Sequence, residues 1–126
     1  MIKKIVVAGT RNYNNYNEAK LYIDFCISEL KKENEIIFLS GGCRGADMLG
    51  ERYAKEKGYK VKRYPADWNK YGKSAGVIRN KEMANEGDCF ICFWDGKSRG
   101  TKSMIDFAKT TNKPIKIKII NKDDKN

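Results

Sequence analysis

Four stretches of this chain concentrate residues that can hold an anion or move a proton. They are Gly9-Thr10-Arg11, Ser40-Gly41-Gly42-Cys43-Arg44-Gly45-Ala46-Asp47, the longer run Ala66-Asp67-Trp68 through Lys73 and Gly76 to Arg79-Asn80, and Asp95-Gly96-Lys97-Ser98-Arg99-Gly100-Thr101. Glycine lets a backbone approach a ligand closely and adopt positive φ. Where such a loop opens a helix, the free N–H groups of the first turn and the helix dipole favour a phosphate. Two of the four stretches have this form, and Ser40, Thr101, Arg11 and Arg44 accompany them, so anion binding is the expected chemistry. Neither matches the spacing of a P-loop or of Gly-x-Gly-x-x-Gly, which argues against an ordinary NTPase or NAD dehydrogenase. Trp68 and Tyr71 lie in a polar stretch, where they either stack on a base or anchor the loop. Arg79 has the fork geometry for a phosphate clamp.

Other chemistry is excluded by composition. Histidine is absent, which removes histidine triads, histidine bases and histidine-bound metals. The four cysteines are Cys26, Cys43, Cys89 and Cys92. The single Cys-x-x-Cys pair sits in the apolar run Cys89-Phe90-Ile91-Cys92-Phe93-Trp94, where a strand turns residues three apart to opposite faces. Buried reduced thiols are expected there, with no metal site and no cofactor. The net charge of +10 favours anionic ligands. Residues 52–73 carry eight basic side chains against two acidic ones, a local excess of six, and most of these lysines read as solubilising surface.

Positioning these stretches requires strands and helices in alternation. Apolar runs predict strands at 2–8, 36–39, 59–64, 88–94 and 114–120. Helical periodicity predicts helices at 17–32, 45–57 and 101–111, with another ending near Gly87. Such β-α-β-α order predicts an α/β fold, a five-stranded parallel sheet with helices on both faces. The first, second and fourth strands are continuously apolar and read as central. The third and fifth alternate with lysine, as half-covered edge strands do. The order is then 3-2-1-4-5, a Rossmann-like sheet, and each chemically interesting stretch follows a strand, so all four open on one rim. With 126 residues, of which 40% are hydrophobic and 33% charged, the chain reads as one domain over residues 1–120 with a polar tail at 121–126. No apolar run approaches the about 20 residues of a membrane span, and the N-terminus does not read as a signal peptide. A cytoplasmic location is expected.

In this order the motifs resemble a known family. Gly9-Thr10-Arg11, Gly41-Gly42-x-x-Gly45-Ala46-Asp47, Pro65-Ala66-Asp67-Trp68, Tyr71-Gly72-Lys73-x-Ala75-Gly76-x-x-Arg79-Asn80-x-x-Met83 and Gly100-Thr101 are similar to the YspA/YpsA-like branch of the SLOG (Smf/DprA–LOG) superfamily. The resemblance implies a Rossmann-like domain that binds nucleotides or nucleotide-derived, ADP-ribose-like ligands. Taken with the loop reading above, the expected ligand contacts are Gly9, Thr10, Arg11, Ser40, Gly41, Gly42, Arg44, Gly45, Asp47, Asp67, Trp68, Lys73, Arg79, Asn80, Gly96, Ser98, Gly100 and Thr101. LOG relatives are phosphoribohydrolases with an Arg-Lys pair and a Pro-Gly-Gly-x-Gly-Thr-x-x-Glu loop. Here Arg79-Asn80 aligns with the pair, and Met104 stands where the catalytic glutamate would be. Methionine cannot handle a proton.

Three readings follow. The first is a nucleotide-binding protein, a sensor or sequestering protein without chemistry. The second is a nucleotide N-glycosidase or phosphoribohydrolase that uses an aspartate, with Asp47, Asp67 and Asp95 as catalytic candidates. The third is a single-stranded nucleic-acid binder, which ranks last because the basic cluster lacks interleaved stacking aromatics. The expected partner is a nucleotide-type small molecule, with a homodimer as an open possibility and no membrane.

Overall fold

Ile5, Val6 and Val7 are all buried, yet they serve two different cores. Successive strand residues face opposite ways, so Ile5 and Val7 join a cluster with Phe38, Ile91 and Phe93 on one side. Val6 joins Leu39, Phe90 and Cys92 on the other. A strand buried on both faces belongs at the centre of a parallel sheet. The computed structural model describes residues 1–120; the expected polar tail at residues 121–126 lies outside the described residues.

The strands are β1 (Ile2–Gly9), β2 (Glu35–Ser40), β3 (Lys60–Arg63), β4 (Cys89–Trp94) and β5 (Ile115–Ile119). The helices are α1 (Tyr16–Ile27), α2 (Leu30–Glu33), α3 (Ala46–Lys57), α4 (Trp68–Tyr71), α5 (Ala75–Glu86) and α6 (Arg99–Lys109), with a 3-10 turn at Gly72–Ser74. All strand pairs are parallel, in the order β3-β2-β1-β4-β5. The fold class and the strand order are as expected. α1 and α3 supply Ala19, Ile23, Tyr53 and Ala54 to one core, whereas α5 and α6 supply Met83, Ala84, Met104 and Ile105 to the other. In register, Gly9 pairs with Phe93 and Ser40 with Arg63. The carboxyl ends therefore lie along one edge, and the order in which strands are added switches direction between β1 and β4.

Four local expectations change. The helix expected over 17–32 stops at Ile27, because the Ser28 hydroxyl and N–H both bond the Phe25 carbonyl and close the last turn; a separate turn of helix, α2, follows. Trp68 and Tyr71 lie on a short helix, not in an irregular loop, since Asp67 caps it by accepting from the Lys70 N–H at 3.1 Å. β3 is exposed along its whole length, Val61 included, so it is less covered than its alternation suggested. α6 begins at Arg99, two residues early, which makes Ser98 its N-cap residue and puts Gly100 in its first turn.

Cys89 and Cys92 fall on opposite faces, one in each core, and all four cysteines are free. Burial pushes the Cys92 thiol up to about 12 and the Cys26 thiol to about 11, well away from thiolate chemistry. No helix among the described residues is long and apolar enough to cross a membrane.

Candidate functional site

The site begins where β1 ends. A Cβ on Gly9 would lie 2.3 Å from the Phe93 carbonyl oxygen, so only glycine lets β1 and β4 come this close. Thr10 then ties three loops together. Its N–H donates to the Phe93 carbonyl at 3.0 Å, and its carbonyl accepts from Tyr13 and Ala46. Its hydroxyl oxygen accepts from the Asp95 N–H at 3.2 Å. Gly45 packs beneath this crossing. At φ +83° it has a backbone that disfavours side chains, and a Cβ there would meet the Thr10 and Arg11 carbonyl oxygens at 2.4 Å.

The loop from β2 to α3 turns its own donors inward. The Gly42 N–H bonds the Ser40 hydroxyl at 3.0 Å, and that hydroxyl donates to Glu51 at 2.6 Å. The Cys43 N–H bonds the Asp47 carboxylate at 3.2 Å, and the Ala46 N–H is taken by Thr10. Arg79 locks the same loop from α5. One terminal nitrogen, Nη1, reaches the Gly41 carbonyl at 2.7 Å and the Tyr64 carbonyl at 3.5 Å, and Nε bonds the Asn80 side-chain oxygen at 3.0 Å. The other, Nη2, has the weak acceptor Cys43 Sγ at 3.8 Å. Asp47, in the first turn of α3, is buried. That burial pushes its carboxyl up to about 6; the Cys43 N–H and the nearby Arg79 and Arg11 charges offset only part of the rise.

The loop from β4 to α6 places its carboxylate ahead of the helix instead of in its first turn. The Asp95 carboxylate accepts the Lys97 and Ser98 N–H groups at 2.8 Å, which shapes the turn. Asn80 Nδ2 then bonds the Gly100 carbonyl at 3.3 Å and holds α6 against α5. Ser98 makes no side-chain cap, and the first turn of α6 has no acidic residue. A Cβ on Gly100 would meet nothing within 4 Å. The positive pole of α6 is therefore open, with the Ser98 and Thr101 hydroxyls 3.1 Å apart beside it.

These loops enclose a cleft of about 370 Å³. It is lined by twelve of the residues expected from sequence: Gly9, Thr10, Arg11, Gly41, Arg44, Asp47, Arg79, Asn80, Asp95, Ser98, Gly100 and Thr101. Ala8, Asn12, Cys43, Met83 and Met104 complete the lining. The two methionines are buried and form an apolar floor; each faces the cleft from a helix, a placement that helical periodicity alone assigns equally well to core. A second cavity of about 290 Å³ adjoins it through Gly41, Cys43 and Arg79, and adds Gly42, Arg63, Pro65, Ala66 and Trp68. Five expected residues line neither. Ser40 shapes its loop, Gly45 packs under β1, Asp67 caps α4, and Lys73 and Gly96 are exposed on turns. Of the three candidate carboxylates, Asp47 and Asp95 reach the cleft and Asp67 does not. Among the described residues no group of three or more Cys, Asp or Glu side chains could hold a metal ion.

Comparison with known proteins agrees with this architecture. The gene 61 protein of Mycobacterium phage D29 is 36% identical over 121 residues, covering 90% of this chain and 94% of its own. The crystal structure titled TM1055, a structural genomics target, superposes with a TM-score of 0.64 at 22% identity, over 91% of this chain and 72% of that one, and shares the Rossmann-like fold. Residues 3–71, which carry β1, the β2–α3 loop and Trp68, match the model of a described family. The chain belongs to the YspA, cpYpsA-related SLOG family.

Proposed function

We propose that the cleft binds a nucleotide or nucleotide-derived ligand of the ADP-ribose type, in a sensor or sequestering role. The observation that carries this reading is the contrast between the two helix starts facing the cleft. Neither helix has a side-chain cap, but the first turn of α3 carries the Asp47 carboxylate, which accepts the Cys43 N–H, whereas the first turn of α6 carries no acidic residue and has the Ser98 and Thr101 hydroxyls beside it. A phosphate on the Gly100 and Thr101 N–H groups gains charge-assisted hydrogen bonds, and Arg11 and Arg44 at the mouth add positive field. Asp47 suits the hydroxyls of a ribose, and the Met83–Met104 floor suits an apolar ring face. The test is calorimetry with AMP and ADP-ribose on the natural protein and on Thr101→Val. Binding weakened about tenfold by losing one hydroxyl bonded to a charged group supports the phosphate position. No binding of either ligand refutes the reading.

One observation favours a second reading, hydrolysis of the nucleotide by an aspartate. Asp47 is a buried carboxyl in the cleft with its titration moved up to about 6, the range useful to a general acid or base near neutral pH. Chromatography of nucleoside monophosphates incubated with the protein distinguishes the two. Release of free base that Asp47→Asn abolishes establishes the hydrolase; intact nucleotide supports binding alone.

A further inference from the structure

Trp68 is 54% exposed on the wall of the second cavity. An indole more than half exposed on a capped turn of helix offers a planar face to a stacking ring. Pro65 and Ala66 form the apolar flank beside it. Gly76 lies between the Trp68 ring and Arg79: a Cβ there would be in ordinary contact with the ring at 3.6 Å and with Arg79 Nη2 at 3.9 Å. The ring edge and that nitrogen therefore lie within one ligand group of each other. Arg79 lines both cavities. Its guanidinium is held rigidly by the Gly41 and Tyr64 carbonyls and Asn80, so Nη2 is the donor presented at the seam.

We infer that the two cavities form one site for a phosphate-bridged ligand with two rings, a dinucleotide, whose second ring stacks on Trp68 while its bridge crosses Arg79. This rests on the nucleotide reading of the first cleft. The physical case is that the second cavity, at about 290 Å³, falls just below the range of about 300–1,000 Å³ for small-molecule sites and shares Gly41, Cys43 and Arg79 with the first, at about 370 Å³, so that it serves as an extension of that cleft. The seam is cationic, as a bridging phosphate requires, and the far wall is an open aromatic face, as a planar ring requires. The shared chemistry admits a 5′–5′ pyrophosphate bridge or a 3′–5′ phosphodiester bridge.

The test measures Trp fluorescence and calorimetric affinity for four probes: AMP, ADP-ribose, NAD and the 5′-phosphorylated 3′–5′ dinucleotide of adenosine. NAD carries a cationic nicotinamide ring where ADP-ribose has an anomeric hydroxyl. The expected result is that at least one of the two-ring probes binds about tenfold tighter than AMP and ADP-ribose, a typical gain from one stacked ring. Trp68→Ala should erase that preference without changing AMP affinity, and Trp68→Phe should restore most of it. Which of NAD and the 3′–5′ dinucleotide binds tighter identifies the bridge. Equal affinity for one- and two-ring probes, or an equal loss for AMP and the dinucleotides in Trp68→Ala, overturns the two-cavity site while leaving the nucleotide reading intact. Failure of all four probes to bind overturns both.

Discussion

Asp47 is the residue on which chemistry and stability meet. Its carboxyl titrates near 6 in the folded protein because burial disfavours the charge, and near 4 in an unfolded chain. Between these values the folded state holds a proton that the unfolded state has released. The sign follows: stability falls as pH rises through that window and is fully reduced once pH passes the folded value, by roughly 3 kcal/mol for a shift of this size. Asp47→Asn cannot ionise, and its side-chain oxygen can still accept the Cys43 N–H. The variant should match the natural protein near pH 4 and exceed its stability at pH 8 by up to that amount, as urea unfolding at both values will measure. Equal stability at pH 8 would mean that the carboxylate is well solvated in the cleft. The same substitution leaves Asp95 untouched, whose carboxylate shapes its turn by accepting two backbone N–H groups.

At the scale of elements, the cleft depends on how closely α3 approaches β1. Gly50 faces Val7 so tightly that a Cβ would lie 2.6 Å from the Val7 Cβ, and Gly45 admits no Cβ between the Thr10 and Arg11 carbonyls. Gly50→Ala should destabilise by about 1–3 kcal/mol through overpacking. Gly45→Ala should cost roughly 2–4 kcal/mol, because left-handed strain adds to the clash. Thermal melts of both variants check the order; a milder effect at Gly45 than at Gly50 would show that the loop relaxes freely. Arg79 performs the complementary task between α5 and the β2–α3 loop, where its bonds to Gly41 and Tyr64 replace contacts the loop cannot make with itself. Arg79→Ala should raise amide exchange over residues 41–45, while Lys109→Ala, an exposed control at the end of α6, should leave it unchanged. Equal exchange in the two would remove Arg79 from the support of the loop.

Over the whole molecule the net charge is +10, and among the described residues part of it is engaged locally. Arg63 is paired with Glu51 and Arg52 with Glu56, and Lys62 and Lys70 lie over tyrosine rings. Much of the basic cluster at 52–73 is thus engaged locally, and its exposed members provide a diffuse field that salt screens within about 10 Å at 0.1 M. Raising salt from 50 to 300 mM should abolish any single-strand oligonucleotide binding, because that binding depends on counterion release. If AMP is held by fixed donors at α6, as proposed, its affinity should fall only a few-fold. Parallel falls for both ligands in titrations at the two salt concentrations would assign the cleft's affinity to the general field.

Sequence by itself determined the alternation of strands and helices, the order 3-2-1-4-5 and the rim on which the loops meet. The reason is local: burial on both faces demands unbroken apolar runs such as Cys89–Phe93, and an edge such as β5 tolerates Lys116 and Lys118. Helix ends were less legible, because a single Ser28 hydroxyl ends α1 and a single Asp67 carboxylate starts α4. Most of the residues that line the cleft were also readable, since most lie in the loops that follow strands. Their roles were not. Both glycine-rich loops look alike as text, and only the tertiary structure decided that one spends its N–H groups on Ser40, Asp47 and Thr10, whereas the other spends those of Lys97 and Ser98 on Asp95 and keeps the first turn of its helix free of carboxylates. It likewise decided that Arg79 braces a loop and lines two cavities at once. A hydrogen-bonding group is free or spent according to partners brought from distant segments, and that pairing exists only once the chain has closed around them.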